Sequence, residues 1–392
     1  MVFKGGFFME KTVSILKCEK YEYDIVREKI KKSLDNIGGI EKFIKPNDKV
    51  LLKINLLMKK HPDNAVTTHP VFVKALASLV MEAGGVVTIA DSPGGLYNET
   101  ALRSVYDGCM IDDVAKDLGV GLNYDTSFEA VSYPAGKKVK TFQIIKPVLD
   151  ADVIIDVPKL KTHMMTFYTG AVKNMFGAVP GAYKAEYHSL FPKCKDFCSM
   201  LVDLCCLTKP TLTVMDAIDI MEGEGPSSGQ KRHLGAVLAS ASPYALDLAA
   251  TALVGMTPKQ VYTLSECIKR GLCPASVDEL ELVGDSFDEI KIDDLVMPKI
   301  NSTDLLDRKF IPKRVAKAIN SFIAPKPHFK KDVCVGCGEC MRRCPEKAIE
   351  MKDNFPVVDE KKCIHCFCCQ ELCPKKAIIS KRHKIIEFIL KH

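Results

Sequence analysis

The sequence predicts an α/β fold: a layered domain built on a mainly parallel sheet, followed by a small α+β domain organised by cysteines. Three observations predict it. Between residues 12 and 300, short β-rich runs alternate with stretches of helical length and period. Several of those runs are apolar on both faces, as strands are when helices cover them from either side. Near the carboxyl end, Cys334-Val-Gly-Cys337-Gly-Glu-Cys340-Met-Arg-Arg-Cys344-Pro345 is followed by Cys363-Ile-His-Cys366-Phe-Cys-Cys369-Gln-Glu-Leu-Cys373-Pro374, two copies of one spacing.

Taken in order, Thr12–Lys17 reads as the first strand, and residues 24–37 as a helix that Gly38 and Gly39 stop. Residues 49–57 (KVLLKINLL) form a buried β run. Residues 70–83 are helical, with Pro70 in the first turn, where its missing donor is harmless. Val86–Ala90 (VVTIA) is the next strand and ends at Asp91-Ser-Pro-Gly-Gly95. Strands follow at Val153–Val157, 211–215 and 234–238, with helices at 197–207 and 243–254. Residues 308–323 have an amphipathic helical pattern, and Ala-Pro-Lys-Pro327 breaks it into a short stiff linker. The expected division is 1–300 for the α/β domain, 301–327 for a helix and linker, 328–382 for the cysteine-rich domain and 383–392 for a basic helix.

With 392 residues, 47% of them hydrophobic and 27% charged, the chain can bury a large core. No apolar run reaches the roughly 18–20 residues of a membrane span. The opening MVFKGGFFMEK has neither the apolar region nor the cleavage site of a secretory signal. Seventeen cysteines suit a reducing compartment, so a cytoplasmic location is expected.

Both cysteine runs fit C-x2-C-x2-C-x3-C-P. A zinc ribbon or a disulfide knot is the competing reading, but zinc sites usually draw their four ligands from two separated pairs. Two matched four-cysteine runs, each closed by proline, suit a [4Fe–4S] cube better. The runs resemble the bacterial two-cluster ferredoxin module over residues 328–382. That resemblance implies two [4Fe–4S] clusters, each taking its fourth thiolate from the opposite run. Cys334, Cys337, Cys340 and Cys373 would hold one, and Cys363, Cys366, Cys369 and Cys344 the other. Cys368 is left over and reads as a small packed residue.

Residues 301–392 carry 20 Lys and Arg against 11 Asp and Glu, within a chain of net charge +6. Thiolate-bound cubes are anionic, and part of the excess offsets them. Basic residues are not interleaved with stacking aromatics, which argues against nucleic acid. A solvated face or a docking patch for an acidic redox partner protein fits the rest of the excess. Residues 379–392 would suit a membrane surface or packing on the main domain, and packing is expected.

In sheets of this kind ligands bind beyond the carboxyl ends of the strands. Asn55 lies toward the carboxyl end of one predicted strand, and Asp91, the segment Lys159-Leu-Lys161-Thr-His163 and Asp216 follow others. Residues 156–188 concentrate cations and imidazoles, with Lys159, Lys161, His163, Lys173 and His188, among glycines that permit close approach. A carboxylate or phosphate is the expected ligand; lysines and histidines on an ordinary surface are the alternative. Residues 216–229 read as a glycine-rich loop whose carboxylates would suit a divalent ion, a general base or simply a solvated loop. It has no Gly-Lys-Ser/Thr ending and is not a Walker loop.

Lys53-Ile-Asn55, Asp91-Ser-Pro-Gly94, Pro158-Lys-Leu-Lys161-Thr-His163, Val172-Lys-Asn174-Met-Phe-Gly177, Glu222-Gly-Glu-Gly225-Pro226 with Gly229, and Asp247 resemble the domain of unknown function 362 group of iron–sulfur proteins, over about residues 12–290. The family brings no settled reaction. A fainter resemblance, to lactate-racemase-like nickel-pincer enzymes, transfers no residues.

The expected function is that of an iron–sulfur redox protein whose tail relays electrons to or from an anionic small molecule. His163, Lys173 and Asn174 are the catalytic candidates, and Asn55, Asp91, Lys159, Lys161 and Gly225 the binding candidates. A further flavin or nickel cofactor would need no short motif. The alternatives are an electron carrier or assembly protein without catalysis, and a non-redox enzyme with structural clusters.

Overall fold

The computed structural model describes residues 10–298 and 325–381. The helices expected at 308–323 and 383–392 lie outside the described residues. Ten strands form one large sheet. Its first four are β1 (Thr12–Lys17), β2 (Lys49–Ile54), β3 (Val86–Ala90) and β4 (Gly121–Leu122). A hairpin of β5 (Phe128–Ser132) and β6 (Thr141–Ile145) stands apart. The sheet continues with β7 (Val153–Val157), β8 (Lys159–His163), β9 (Phe167–Thr169), β10 (Leu212–Glu222), β11 (Gln230–Ser240) and β12 (Glu281–Gly284).

Across the sheet the order is β12-β1-β11-β10-β7-β2-β3-β4, with β8 beside β10 and β9 on β8. Pairing is parallel except at β1–β11, β10–β11 and β8–β9. The sheet is therefore mixed but mainly parallel, as the doubly apolar strands predict.

Alternation along each strand feeds two cores. In β2, Val50, Leu52 and Ile54 join one core while Leu51 joins the other; in β10, Leu212, Val214 and Ile218 oppose Met215, Ala217 and Ile220. Helices Tyr23–Asp35 and Pro70–Glu82 cover the first face. Helices Cys194–Thr208 and Pro243–Leu253 cover the second. The helix starts are fixed locally. His69 Nδ1 accepts from Val71 N at 3.2 Å, and Ser242 Oγ accepts from Ala245 N at 3.2 Å.

Several segments differ from expectation: the strand expected over 49–57 ends at Ile54, and residues 326–327, expected as linker, open a strand of the small domain, Lys326–Phe329. Residues 216–222 are strand, not loop, because Ala217, Ile218, Ile220 and Met221 are fully buried and their acidic neighbours find cations. Lys159–His163 is likewise a buried strand, running on from β7 after Pro158 to pair with the far half of β10.

The small domain holds β13 (Lys326–Phe329), β14 (Ile349–Lys352), β15 (Phe355–Val358) and β16 (Ile378–Lys381). β13 pairs with β16 and β14 with β15, both antiparallel. Its halves repeat each other in backbone as in sequence. Gly336 and Gly338 take φ of 67° and 71°, and the matching His365 and Phe367 take 55° and 61°. Positive φ lets the chain turn tightly between successive thiols, and the second half does so without glycine.

Candidate functional site

Two cavities in the small domain are each lined by four of the expected ligands. Cys334, Cys337, Cys340 and Cys373 line one; Cys344, Cys363, Cys366 and Cys369 line the other. The fourth thiol of each comes from the opposite run. Cys344 Sγ accepts from Ala348 N at 3.2 Å and Cys373 Sγ from Ala377 N at 3.3 Å, the same contact in each half. Four convergent thiols with backbone donors aimed at sulfur fit a [4Fe–4S] cube in both places. Cys368 stands outside both sets and is buried.

The small domain sits on the loops that follow β2 and β3 and on the turn between β10 and β11. Ser227 Oγ donates to Glu371 O at 2.6 Å, Gln370 Nε2 to Glu224 Oε2 at 3.1 Å, and Lys60 Nζ to Pro374 O at 3.0 Å. A Cβ on Gly94 would lie 2.7 Å from Leu372 Cδ2, so the domains are in close contact there and a side chain at 94 would have to displace the leucine tip.

Between the domains lies a pocket of about 360 Å3. Asn55, Asp91, Ser92, Lys161, Lys173, Asn174, Lys184 and His188 line it from the α/β side, and Arg343, Cys344, Pro345, Cys368 and Glu371 from the other. Behind its wall runs a buried polar chain. Lys161 Nζ donates to Asn55 Oδ1 and Val66 O, both at 2.7 Å. Asn55 Nδ2 donates to Asn174 Oδ1 at 2.9 Å, and Asn174 Nδ2 donates to Asp156 Oδ1 at 2.7 Å and Lys53 O at 3.1 Å. Lys53 and Asp91 form a buried ion pair at 2.7 Å. Gly177 fits over that pair only because it lacks a side chain, since a Cβ would fall 1.9 Å from Asp91 Oδ1.

Among the described residues, the Lys173 side chain has no hydrogen bond or ion pair, and the residue is partly exposed. Burial, with Lys173 nearby, pulls Lys161 down to about 7. Burial pulls Lys184 down to about 8 against the attraction of Asp91. His188, lowered to about 3 by burial and by Lys173, is neutral.

Of the sequence candidates, Asn55, Asp91, Lys161, Lys173 and Asn174 meet in this pocket. Three do not. Lys159 is buried elsewhere, bonded to Asp216 Oδ2 at 2.8 Å and Tyr21 Oη at 2.6 Å, because its strand carries it toward β10. Gly225 packs on the neighbouring strand, where a Cβ would lie 2.1 Å from Thr162 O. His163 lines an adjoining recess with Cys366 and Glu371. Of the carboxylates considered for a divalent ion, Asp216 has Lys159, Asp219 has Lys231 and His233, Glu222 has Arg232, and Glu224 accepts from Gln370 of the small domain. Lys184, Arg343, Cys368 and Glu371 were not among the candidates.

A family profile described as Domain of unknown function (DUF362) matches residues 50–252, and one described as 4Fe-4S dicluster domain matches residues 326–374. The chain is 33% identical over 303 residues to the thylakoid-associated protein sll1697 of Synechocystis sp. (strain ATCC 27184 / PCC 6803 / Kazusa), covering 74% of this chain and 90% of that relative. The lactate racemase apoprotein of Thermoanaerobacterium thermosaccharolyticum aligns in structure with a TM-score of 0.40 and 14% identity. That alignment covers 63% of this chain and 57% of the racemase. Among the described residues no helix is long and apolar enough to cross a membrane.

Proposed function

This chain belongs to the family described as Domain of unknown function (DUF362), here joined to a 4Fe-4S dicluster domain, and from that premise we propose a redox protein whose small cysteine-rich domain passes electrons to or from an anionic small molecule in the interdomain pocket. One observation carries this reading. Cys344 and Pro345 line both the pocket and the second cysteine cavity, whereas no thiol of the first cavity lines the pocket.

Bound clusters supply one-electron exchange at potentials set by their surroundings. The rest falls to the chain's own groups. Lys173 and Lys184 hold the anionic group of the ligand. Asn174, fixed by Asp156 and by Lys53 O, holds Asn55 and through it Lys161 in place. Lys161 and Lys184, at about 7 and 8, exchange protons near neutrality. A two-electron reduction takes two protons from these lysines, which solvent replaces, and two electrons delivered singly by an outside carrier protein; oxidation runs the same route in reverse. The basic excess of residues 301–392 favours an acidic carrier, and the thiol content favours the cytoplasm.

The test uses the full chain purified without oxygen and reduced with dithionite. Mass spectrometry of what the protein releases, and a panel of 2-oxo, enoic and hydroxy carboxylates and phosphate monoesters, supply the ligand. Ligand-driven reoxidation of the clusters is expected in the parent and is expected to vanish in Lys173→Met, with dithionite reduction unaltered. Equal reoxidation in Lys173→Met would rule the pocket out. Tight binding of an acidic redox protein with no small-molecule response would instead favour a carrier without catalysis.

A further inference from the structure

His163 is a buried group that the pocket does not use. It closes β8, where the Thr162 hydroxyl anchors the strand by donating to Gly223 O at 2.9 Å. Its Nδ1 accepts from Met165 N at 3.0 Å and from Thr166 N at 3.3 Å. A ring nitrogen that accepts carries no proton, so in the neutral imidazole the proton sits on Nε2. Nε2 is buried and, among the described residues, has no hydrogen-bond partner. It lies 3.8 Å from Glu371 Oε2, beyond hydrogen-bond range, beside a recess that His163 shares with Cys366 and Gln370. Cys366 is also one of the four thiols of the second cavity.

An unpaired buried donor of this kind calls for an acceptor, and a cluster seated in the second cavity brings sulfur to the edge of the recess. We propose that His163 donates its Nε2–H to sulfur of the second cluster and raises that cluster's reduction potential. Reduction puts negative charge on the sulfurs, so a donor stabilises the reduced form more than the oxidised one. Among the described residues the first cavity is lined by the small domain, and no histidine lines it. Two clusters held by near-identical runs are thus made unequal by a residue of the α/β domain. The second, nearer the pocket, is the better electron acceptor. The inference rests on the reading above only in requiring a cluster in the second cavity, and it needs no ligand.

Two variants test it. His163→Asn keeps an acceptor where Nδ1 sits and removes the donor, while His163→Gln carries an amide N–H toward the position of Nε2. The full chain is loaded anaerobically, and iron and sulfide are matched to the parent. The shifted β-proton resonances of Cys337 and Cys366 then follow the two clusters separately through a redox titration. His163→Asn is expected to weaken reduction of the second cluster about tenfold, equivalent to about 59 mV for one electron. The first cluster should be unmoved, and His163→Gln should recover most of the loss. Two unmoved clusters, two equal shifts, or a glutamine variant as impaired as asparagine would overturn the proposal. A Lys173→Met protein that still reoxidises would sink the pocket and leave this proposal standing; an unmoved second cluster would do the reverse.

Discussion

Lys173 projects into the pocket uncommitted, whereas Lys161 is held by Asn55 and Val66 and Lys184 by the carbonyl of Ser92. Their protonation sets the pH behaviour. Lys161 and Lys184 are charged below about 7 and 8 respectively and neutral above. Affinity for an anion is therefore expected to fall as pH rises through that interval, and Lys161→Met should remove the lower step. Calorimetric titration with the identified ligand across the interval checks this. Gly177 gives a prediction independent of chemistry. Gly177→Ala would drive a methyl into the Lys53–Asp91 pair and is expected to cost about 3 kcal/mol in denaturant unfolding. The asparagine that reaches Asp156 and the lysine that reaches Asn55 could be picked out by residue type and by their place after strands. Their partners could not, because side-chain direction at Lys159, Lys161 and His163 depends on the register of β8 against β10.

At the scale of elements, helix Cys194–Thr208 shows how one buried acid ties distant pieces. Asp203, fully buried, accepts from Lys137 N at 2.8 Å, Lys138 N at 2.6 Å and Val139 N at 3.1 Å, and pairs with Arg270 at 2.6 Å. It thereby fastens the β5–β6 connection and the helix ending at Lys269 to the second face of the sheet. Asp203→Ala leaves Arg270 without that partner and is expected to destabilise the α/β domain by about 3–5 kcal/mol, read from the denaturation midpoint. Strands such as Val86–Ala90 and Val153–Val157 are legible to the residue, because apolar runs bounded by Gly85 and Asp91, or by Asp152 and Pro158, carry their own limits. The β10–β11 hairpin was not. Asp216, Asp219 and Glu222 look like loop residues until their cations, which lie far off in sequence or on the returning strand, are in place.

At the scale of the molecule, the pocket belongs to neither domain alone. Its far wall is Arg343, Cys344, Cys368 and Glu371, brought across by the turn that carries Ser227 and by the glycines at 94 and 95. Gly94→Val would push Leu372 away without touching a thiol. The expected result is full iron and sulfide content with ligand-driven reoxidation slowed at least tenfold, measured by stopped-flow. No pattern in the sequence joins Gly94 to Leu372, so this half of the site emerges only on docking.

That arrangement ties filling of the thiol cavities to occupancy of the pocket. Residues 366–376 carry both thiols of the cubes and the backbone that seats on Ser227 and Lys60. Whatever orders those residues also shapes the crevice, and by linkage whatever fills the crevice favours their ordered form. Stripping iron with a chelator is accordingly expected to weaken ligand affinity, and saturating ligand to slow the stripping, so that metabolite supply would set how long each molecule keeps its metal.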